Sequence, residues 1–329
     1  MIIREFFLMF VSFVTLFIAL FWIQIFLFRD KEQQEIVRKD YSVSIIVPVH
    51  NEESTIKDTL ESLLKIDYPK DKIEIIVVND GSTDKTKDIV EGYNNRGVKL
   101  INKSKFGKAA AVNTGLSQVN SEIFGIVDAD SIVDVMSVSN MLHFFDSENT
   151  GAVISLIKVK NPRNMFEKLQ HLEYIFSAFS RKLMSNVNSL FITPGVLTLY
   201  KTEIIKSLGG FDENNLTEDL EVSLKIQKKH YKLLQLLDAE VYTKAPTSFK
   251  AFCKQRNRWY KGTMLNLFEY RNMIFNKKYG DFGVLQLPRV MFSGFLAVAF
   301  ISLTLYRYVF KPLYKHILNW HSINFDFMV

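Results

Sequence analysis

Four short apolar runs, at residues 43–48, 73–78, 98–101 and 123–127, recur along the first half of the chain with polar, helix-patterned segments between them. The runs are rich in Val and Ile and do not alternate. That predicts strands covered on both faces, as in a parallel sheet with helices around it. Between the first two, Ile56, Leu60, Leu63 and Leu64 share a helical face, and residues 83–93 and 108–116 predict two further helices. The order β-α-β-α-β-α-β predicts an α/β, doubly wound, Rossmann-like fold. Beyond residue 130 the pattern is mixed: a helix over 165–184, a strand over 190–200 interrupted by Pro194 and Gly195, and helical spacing over 218–229.

The two ends carry a different pattern. Residues 6–28 are apolar except for Ser12, Thr15 and Gln24, and are followed by Arg29, Asp30 and Lys31. Roughly 20 helical residues span a bilayer core, so this run predicts a retained transmembrane helix. A signal peptide would have an apolar region of only about 7–15 residues and a small-residue cleavage site. Residues 290–306 form a second apolar stretch, with Arg307 able to snorkel toward headgroups; a buried core helix is the other reading at that length. Arg29, Lys31, Arg38 and Lys39 after the first run, and Lys277, Lys278 and Arg289 before the second, favour the cytoplasmic side. The expectation is a multi-pass protein of the cell membrane with its polar middle in the cytoplasm.

Composition changes this picture little. The 329 residues carry a formal charge of +6, and 28 of them are Phe, which suits lipid-facing helices and a dense core. A basic balance fits anionic lipid, nucleic acid or an anionic substrate alike, and nothing else in the chain supports nucleic acid. Cys253 is the only cysteine, so no intrachain disulfide forms.

In open α/β sheets ligands bind outside the carboxyl ends of the strands. Asp80 ends the second predicted strand and Asp128 and Asp130 follow the fourth, which places all three in that crevice. Asp128 and Asp130 are two apart, so in an extended segment both carboxylates point to one side. Hard oxygens of this kind suit Mg²⁺ or Mn²⁺ shared with phosphates; a solvated turn would use the same residues. Asp80, followed by Gly81 and Ser82, can accept a hydrogen bond from a base or a ribose, or simply close a turn. Lys108 near a helix start makes an anion site. Neither a G-x-x-x-x-G-K-[ST] loop nor a G-x-G-x-x-G fingerprint is present. Glu218 and Asp219 open a helical pattern after Thr217, as cap residues or as a general base. Gln255, Arg258 and Trp259 stand at i, i+3 and i+4, which puts an amide, a guanidinium and an indole on one helix face. Arg can bind a diphosphate and Trp can stack on a sugar; an amphipathic interfacial helix would also use them.

Taken together the motifs resemble the membrane-bound family 2 glycosyltransferases, in particular the processive branch of cellulose, hyaluronan and poly-N-acetylglucosamine synthases. The resemblance covers residues 41–262. It runs through S-I-I-V-P-V-H-N-E-E (44–53), V-V-N-D-G-S-T-D (77–84), G-K-A-A-A-V-N (107–113) and D-A-D (128–130). It continues through T-P-G-V (193–196), G-G-F-D-E (209–213), L-T-E-D (216–219) and Q-R-N-R-W (255–259). It implies a GT-A fold, a UDP-sugar donor (UDP-GlcNAc or UDP-Glc) and a Mg²⁺ or Mn²⁺ cofactor. Val49, Glu52 and Asp80 would meet the uridine, Lys108 the phosphates, and Asp130 with Asp128 the metal. Asp219, with Glu218 beside it, would be the base. Gly195 would line the acceptor site, and Gln255, Arg258 and Trp259 would bind the diphosphate and the acceptor sugar. The implied reaction inverts the anomeric carbon and extends a β-linked polysaccharide. Transfer of one sugar to a lipid-linked acceptor, or an inactive scaffold role in a synthase complex, are the alternatives; retention of every acidic position argues against the scaffold. The expected organisation is 1–40 as transmembrane helix and linker, 41–245 as a cytoplasmic GT-A catalytic domain, 246–281 as interface helices carrying Q-R-N-R-W, and 282–329 as a second membrane helix and tail. Two predicted membrane helices are too few to enclose a polymer path: either partner membrane subunits or a homo-oligomer complete one, or the chain is cut short, or the product is not a secreted polymer.

Overall fold

The structure is a computed structural model that describes residues 40–147 and 149–317, plus isolated positions 9, 13, 16, 20, 23 and 24; of residues 295–299 it describes the backbone only. The first apolar run, its basic flank and the tail beyond 317 therefore lie largely outside the described residues.

Strands form where the sequence pattern predicts them. β1 (Val43–Val49), β2 (Ile73–Asp80), β3 (Val98–Lys103) and β4 (Ile123–Val127) pair in parallel in the order β3-β2-β1-β4. Every residue of β1 is buried. Ile45, Val47 and Val49 face one core, with Ile56, Leu60 and Leu63 of α1 (Ile56–Leu64). Ile46 faces the other core, with Ile76, Val78 and Ala109, Val112 and Leu116 of α3 (Lys108–Gln118). Both faces are thus covered, which is why the runs do not alternate; each such side chain contributes about 1.5–3 kcal/mol of burial. The helix expected over 83–93 is shorter, α2 (Thr86–Glu91). The Asp84 carboxylate accepts the Thr86 N–H at 3.0 Å and delays its start.

Past β4 the sheet becomes mixed. β7 (Leu197–Lys201) is antiparallel to β4 and to β6 (Thr150–Val159), while β6 runs parallel to β8 (Lys232–Thr243). The short β5 (Ile132–Val133) closes the edge, antiparallel to β8. The strand expected over 190–200 begins only at Leu197. Pro194 has no N–H to give a ladder, and its carbonyl instead accepts the Thr198 hydroxyl at 2.7 Å. β6 and β8 escape the sequence pattern because polar residues sit inside them. Ser155 and Gln235 are both fully buried, and the Gln235 amide donates to the Ser155 and Leu236 carbonyls at 2.9 and 2.6 Å. These bonds satisfy backbone groups beside the register shift between Ile154 and Leu156.

The helices complete the frame: α4 (Ser137–Leu142), α5 (Met165–Asn186), α6 (Thr202–Ser207), α7 (Glu218–Lys228), α8 (Phe249–Glu269) and α9 (Leu287–Leu305). α5 starts with a reciprocal cap, in which Asn164 Oδ1 accepts the Glu167 N–H and Glu167 accepts the Asn164 N–H, both at 2.9 Å. A third, smaller core of Leu220, Leu224, Leu267, Tyr270, Met273 and Phe282 ties α8 to α7. The helix carrying Q-R-N-R-W is thereby fixed to the helix carrying T-E-D. Among the described residues, no helix is long and apolar enough to cross a membrane, so the second membrane helix expected over 290–306, where α9 lies, is not supported.

Candidate active site

The carboxyl ends of the parallel strands gather the acidic residues. Asp80 is the last residue of β2 and is buried. Its carboxylate accepts the N–H groups of Phe106 and Gly107 at 2.9 and 2.8 Å, and Lys103 Nζ lies 3.4 Å away. Burial works to raise its pKa, but these donors outweigh burial and hold the carboxyl below its usual range. Asp80 therefore pins the loop between β3 and α3, whose next residue, Lys108, opens α3.

Lys108 is the hub. Its ammonium pairs with Asp128 Oδ1 and stands 3.8 Å from Glu218. Burial alone would lower its pKa; Asp128, Glu218 and Asp219 together carry it above the ordinary lysine value. Gly195 leaves the room: a Cβ there would lie 2.9 Å from Lys108 Nζ and 4.0 Å from Asp128 Oδ1. Gly195 thus stands against the lysine and the aspartate.

The D-A-D segment is a turn rather than extended, because Ser131 N–H closes onto the Asp128 carbonyl at 3.0 Å and Ala129 is drawn into the core. Asp130 accepts from the Ser131 and Thr243 hydroxyls, each at 3.3 Å. Burial, then the charges of Asp128 and Glu52, raise its pKa. No group of three or more His, Cys, Asp or Glu arranged to hold a metal occurs among the described residues. The Asp128–Asp130 pair still fits a divalent cation chemically. It offers hard oxygens, and the repulsion from Asp128 that adds to the effect of burial on Asp130 is what a cation relieves.

Asp219 sits in the first turn of α7. It takes the helix-start role in part, accepting the Leu220 N–H at 2.9 Å. Burial and Glu218 push its carboxyl up to about 6, against the pull of Lys108, Leu220 N–H and Arg258. A carboxylate poised there can take a proton from an alcohol near neutral pH. Arg258, Gln255 and Trp259 lie on α8 as the spacing predicts. Gln255 Oε1 is buried with no hydrogen-bond partner. Val49 is the exception to this gathering, since its side chain packs in the core beneath the site.

The sequence pattern gave no notice of several neighbours. His50 Nδ1 contacts the Asp80 carbonyl and its Nε2 contacts Lys105 Nζ, both at 2.9 Å. Thr193 Oγ1 donates to the Asp219 carbonyl at 2.7 Å. Arg256, Glu173 and Tyr174 form a wall between α5 and α8. His50 and Thr193 lie within the motifs at 44–53 and 193–196, which is the sequence signal that marks them. The α5 residues carry no signal until the helix is placed.

A raised carboxyl beside a lysine hub, an arginine and a carboxylate pair at the rim of such a sheet is an arrangement suited to group transfer, and the family model says which kind. The model described as glycosyl transferase family 2 matches residues 44–209, half of the chain. The chain belongs to glycosyl transferase family 2. This glycosyltransferase is 30% identical over 246 residues to the probable glycosyltransferase YdaM of Bacillus subtilis; the match takes in 72% of the chain and 58% of YdaM. It thus spans less than two thirds of that relative. It is 28% identical over 338 residues to a poly-β-1,6-N-acetyl-D-glucosamine synthase of Staphylococcus epidermidis, covering 97% of the chain and 79% of the synthase. Among solved structures, a mannosyltransferase of Pyrobaculum calidifontis in complex with GDP-mannose and Mn²⁺ superposes with a TM-score of 0.64 at 25% identity. That match covers 77% of this chain and 71% of the mannosyltransferase. The α/β GT-A-like architecture with its mixed sheet is thereby shared.

Proposed function

We propose that this glycosyltransferase moves a sugar, N-acetylglucosamine or glucose, from its UDP donor to a growing β-linked glycan with inversion, at the cytoplasmic face of the cell membrane. The observation that carries the reading is a gathering of groups: Lys108 pairs with Asp128 and stands 3.8 Å from Glu218, the neighbour of Asp219, whose carboxyl is raised to about 6. The base stands beside the cations that an anionic leaving group needs.

The chemistry follows from the residues. Asp219 accepts the proton of the acceptor hydroxyl as its oxygen attacks the anomeric carbon; the bond from that carbon to the diphosphate breaks, and the electron pair leaves with UDP. Lys108 and Arg258 meet the negative charge that develops on the leaving diphosphate. The Asp80-pinned loop, with Glu52 near Asp130, orients the nucleotide. Asp128 and Asp130 would hold Mg²⁺ or Mn²⁺, which when bound supplies further positive charge at the phosphates. The Mn²⁺ in the mannosyltransferase supports a divalent ion here. Similarity to the poly-N-acetylglucosamine synthase supports the sugar and the polymer; GDP-mannose in the mannosyltransferase makes the base of the donor a point to test.

Exposed apolar side chains support the membrane. Met165, Leu169, Leu172 and Phe176 make one stripe along α5, at 78, 49, 65 and 73% exposure. Tyr260 and Phe268 are likewise exposed on α8, and residues 300–317 add a helical stretch with outward Ile301, Val309 and Phe310. Exposed apolar stripes of this kind suit an interface with lipid.

The test is a donor screen on membranes carrying the full chain, with radiolabelled UDP-GlcNAc, UDP-glucose and GDP-mannose, followed by sizing of the product. A ladder or polymer is expected. A single extractable glycolipid would assign lipid glycosylation instead, and no transfer from any donor with Mn²⁺ present would assign the scaffold role. Asp219→Asn should lose at least about a thousandfold in turnover while donor binding by calorimetry persists.

A further inference from the structure

Arg256 is a residue of Q-R-N-R-W that neither the base nor the leaving group needs, yet its side chain is firmly anchored to α5. Its guanidinium forms a fork onto Glu173 of α5, with Nη1 and Nη2 each 2.5 Å from a carboxylate oxygen. Nη2 also reaches Gln170 Oε1 at 3.4 Å, and fully buried Gln170 passes the contact on by donating to the Tyr174 hydroxyl at 2.7 Å. The same guanidinium lies 4.5 Å from the centre of the Trp259 ring and 4.6 Å from that of Phe252. One side chain thus grips α5 and covers an indole face at once. A bidentate arginine fixes direction as well as distance, which a lysine cannot do.

We propose that Arg256 is a positioning residue for the acceptor. It sets the plane of the Trp259 ring against α5, so that the other face of the indole is presented to the sugar at the growing end. The seam of Arg256 with Glu173 and Gln170, and not α8 alone, fixes the height of the acceptor platform above Asp219. This rests on the glycosyl-transfer reading of the site. The consequence is selective: loosening the seam weakens acceptor binding while donor binding, built on the Asp80 loop and Lys108, is untouched.

Two measurements on the full chain in detergent test this. In kinetics with UDP-GlcNAc and a β-1,6-linked N-acetylglucosamine oligosaccharide, Arg256→Gln and Glu173→Gln should each raise the acceptor KM about tenfold, with kcat and donor KM within about twofold of wild type. Arg256→Lys keeps a cation over the rings without the fork and should fall between. A fall in kcat or a rise in donor KM at unchanged acceptor KM would overturn the proposal. The second measurement needs no turnover. With Trp22→Phe and Trp320→Phe as background, Trp259 is the sole tryptophan, and acrylamide quenching of its fluorescence should rise in Arg256→Gln and less in Arg256→Lys. Unchanged quenching in Arg256→Gln refutes the role of the seam. If the wild type transfers from no UDP-sugar, the functional reading fails, and the quenching comparison still decides whether Arg256 holds Trp259.

Discussion

Gly262 of α8 lies so close to Thr217 that a Cβ at position 262 would fall 2.3 Å from the threonine Oγ1, 2.4 Å from its Cγ2 and 2.9 Å from its Cβ. No rotation of Thr217 relieves three such contacts. Asn266, one turn further along, donates to Thr217 Oγ1 at 3.0 Å and closes the same contact. Thr217 immediately precedes the helix that carries Asp219, so this approach sets the spacing between Asp219 and the Gln255–Arg258–Trp259 face. Gly262→Ala must push the two helices apart. It should cost about 1–3 kcal/mol of stability and lower turnover along with it, which thermal unfolding and initial rates on the same preparation will show.

Gly195→Ala should behave in the opposite way. The atom that a Cβ would meet first is Lys108 Nζ, at 2.9 Å, the far end of a flexible side chain. The fold can yield there at little expense. The ammonium, however, would be pushed from its place between Asp128 and Glu218, where the proposed reaction needs it against the leaving group. A melting temperature near wild type with turnover reduced about tenfold or more is expected, since a displaced charge is felt directly in the transition state. Equal losses of stability and activity would show that Gly195 matters to the backbone instead.

These two glycines mark what the sequence could and could not tell. The four parallel strands and the helices between them were legible because a strand covered on both faces must be apolar throughout, as β1 is. Asp80, Asp128 and Lys108 were legible because they follow or open such elements. β6 and β8 were not. Ser155 and Gln235 break their apolar runs, and only tertiary partners explain their burial: the bulge, the Leu197 carbonyl that accepts the Ser155 hydroxyl, and Arg181, which donates to Gln235. The D-A-D pair was expected in an extended segment and lies in a turn, since Ser131 N–H finds the Asp128 carbonyl before any neighbouring strand does. The closeness of Gly262 to Thr217, and the grip of Arg256 on Glu173, join residues 45 and 83 positions apart and depend on helix packing that periodicity does not encode.

Asp80→Asn tests the loop that Asp80 holds. Both carboxylate oxygens accept backbone N–H groups, from Phe106 and Gly107. An amide offers one acceptor and turns its NH₂ against the other N–H, so one donor of the loop is left unmet and repelled. A lost charge-assisted bond of this kind costs about 1.5–3 kcal/mol. UDP affinity, measured by calorimetry, should fall roughly 10- to 100-fold. The effect should be confined to the donor, with acceptor KM held within about twofold. Donor affinity unchanged in Asp80→Asn would mean that the loop forms without its anchor.

The last prediction concerns pH. The Asp219 carboxyl is raised to about 6 by burial and by Glu218. As a base it must be ionised, so kcat/KM should fall as pH drops through about 6, with one protonation. Glu218→Gln removes a negative neighbour, which should move this limb to lower pH; the residual rate in that variant at pH 8 is enough to locate it. Stability must run the other way. An unfolded aspartate gives up its proton near 4, whereas the folded chain keeps it to about 6. Between those values the folded state binds more protons, so ionising Asp219 costs stability as pH rises across the window, and the whole cost is present above it. Asp219→Asn, which cannot ionise, should therefore be more stable than wild type at pH 8 and should lose that advantage near pH 4, while being inactive throughout. Urea titrations of both chains at the two pH values give the comparison, and a variant less stable than wild type at pH 8 would mean that Asp219 is held by interactions stronger than its burial.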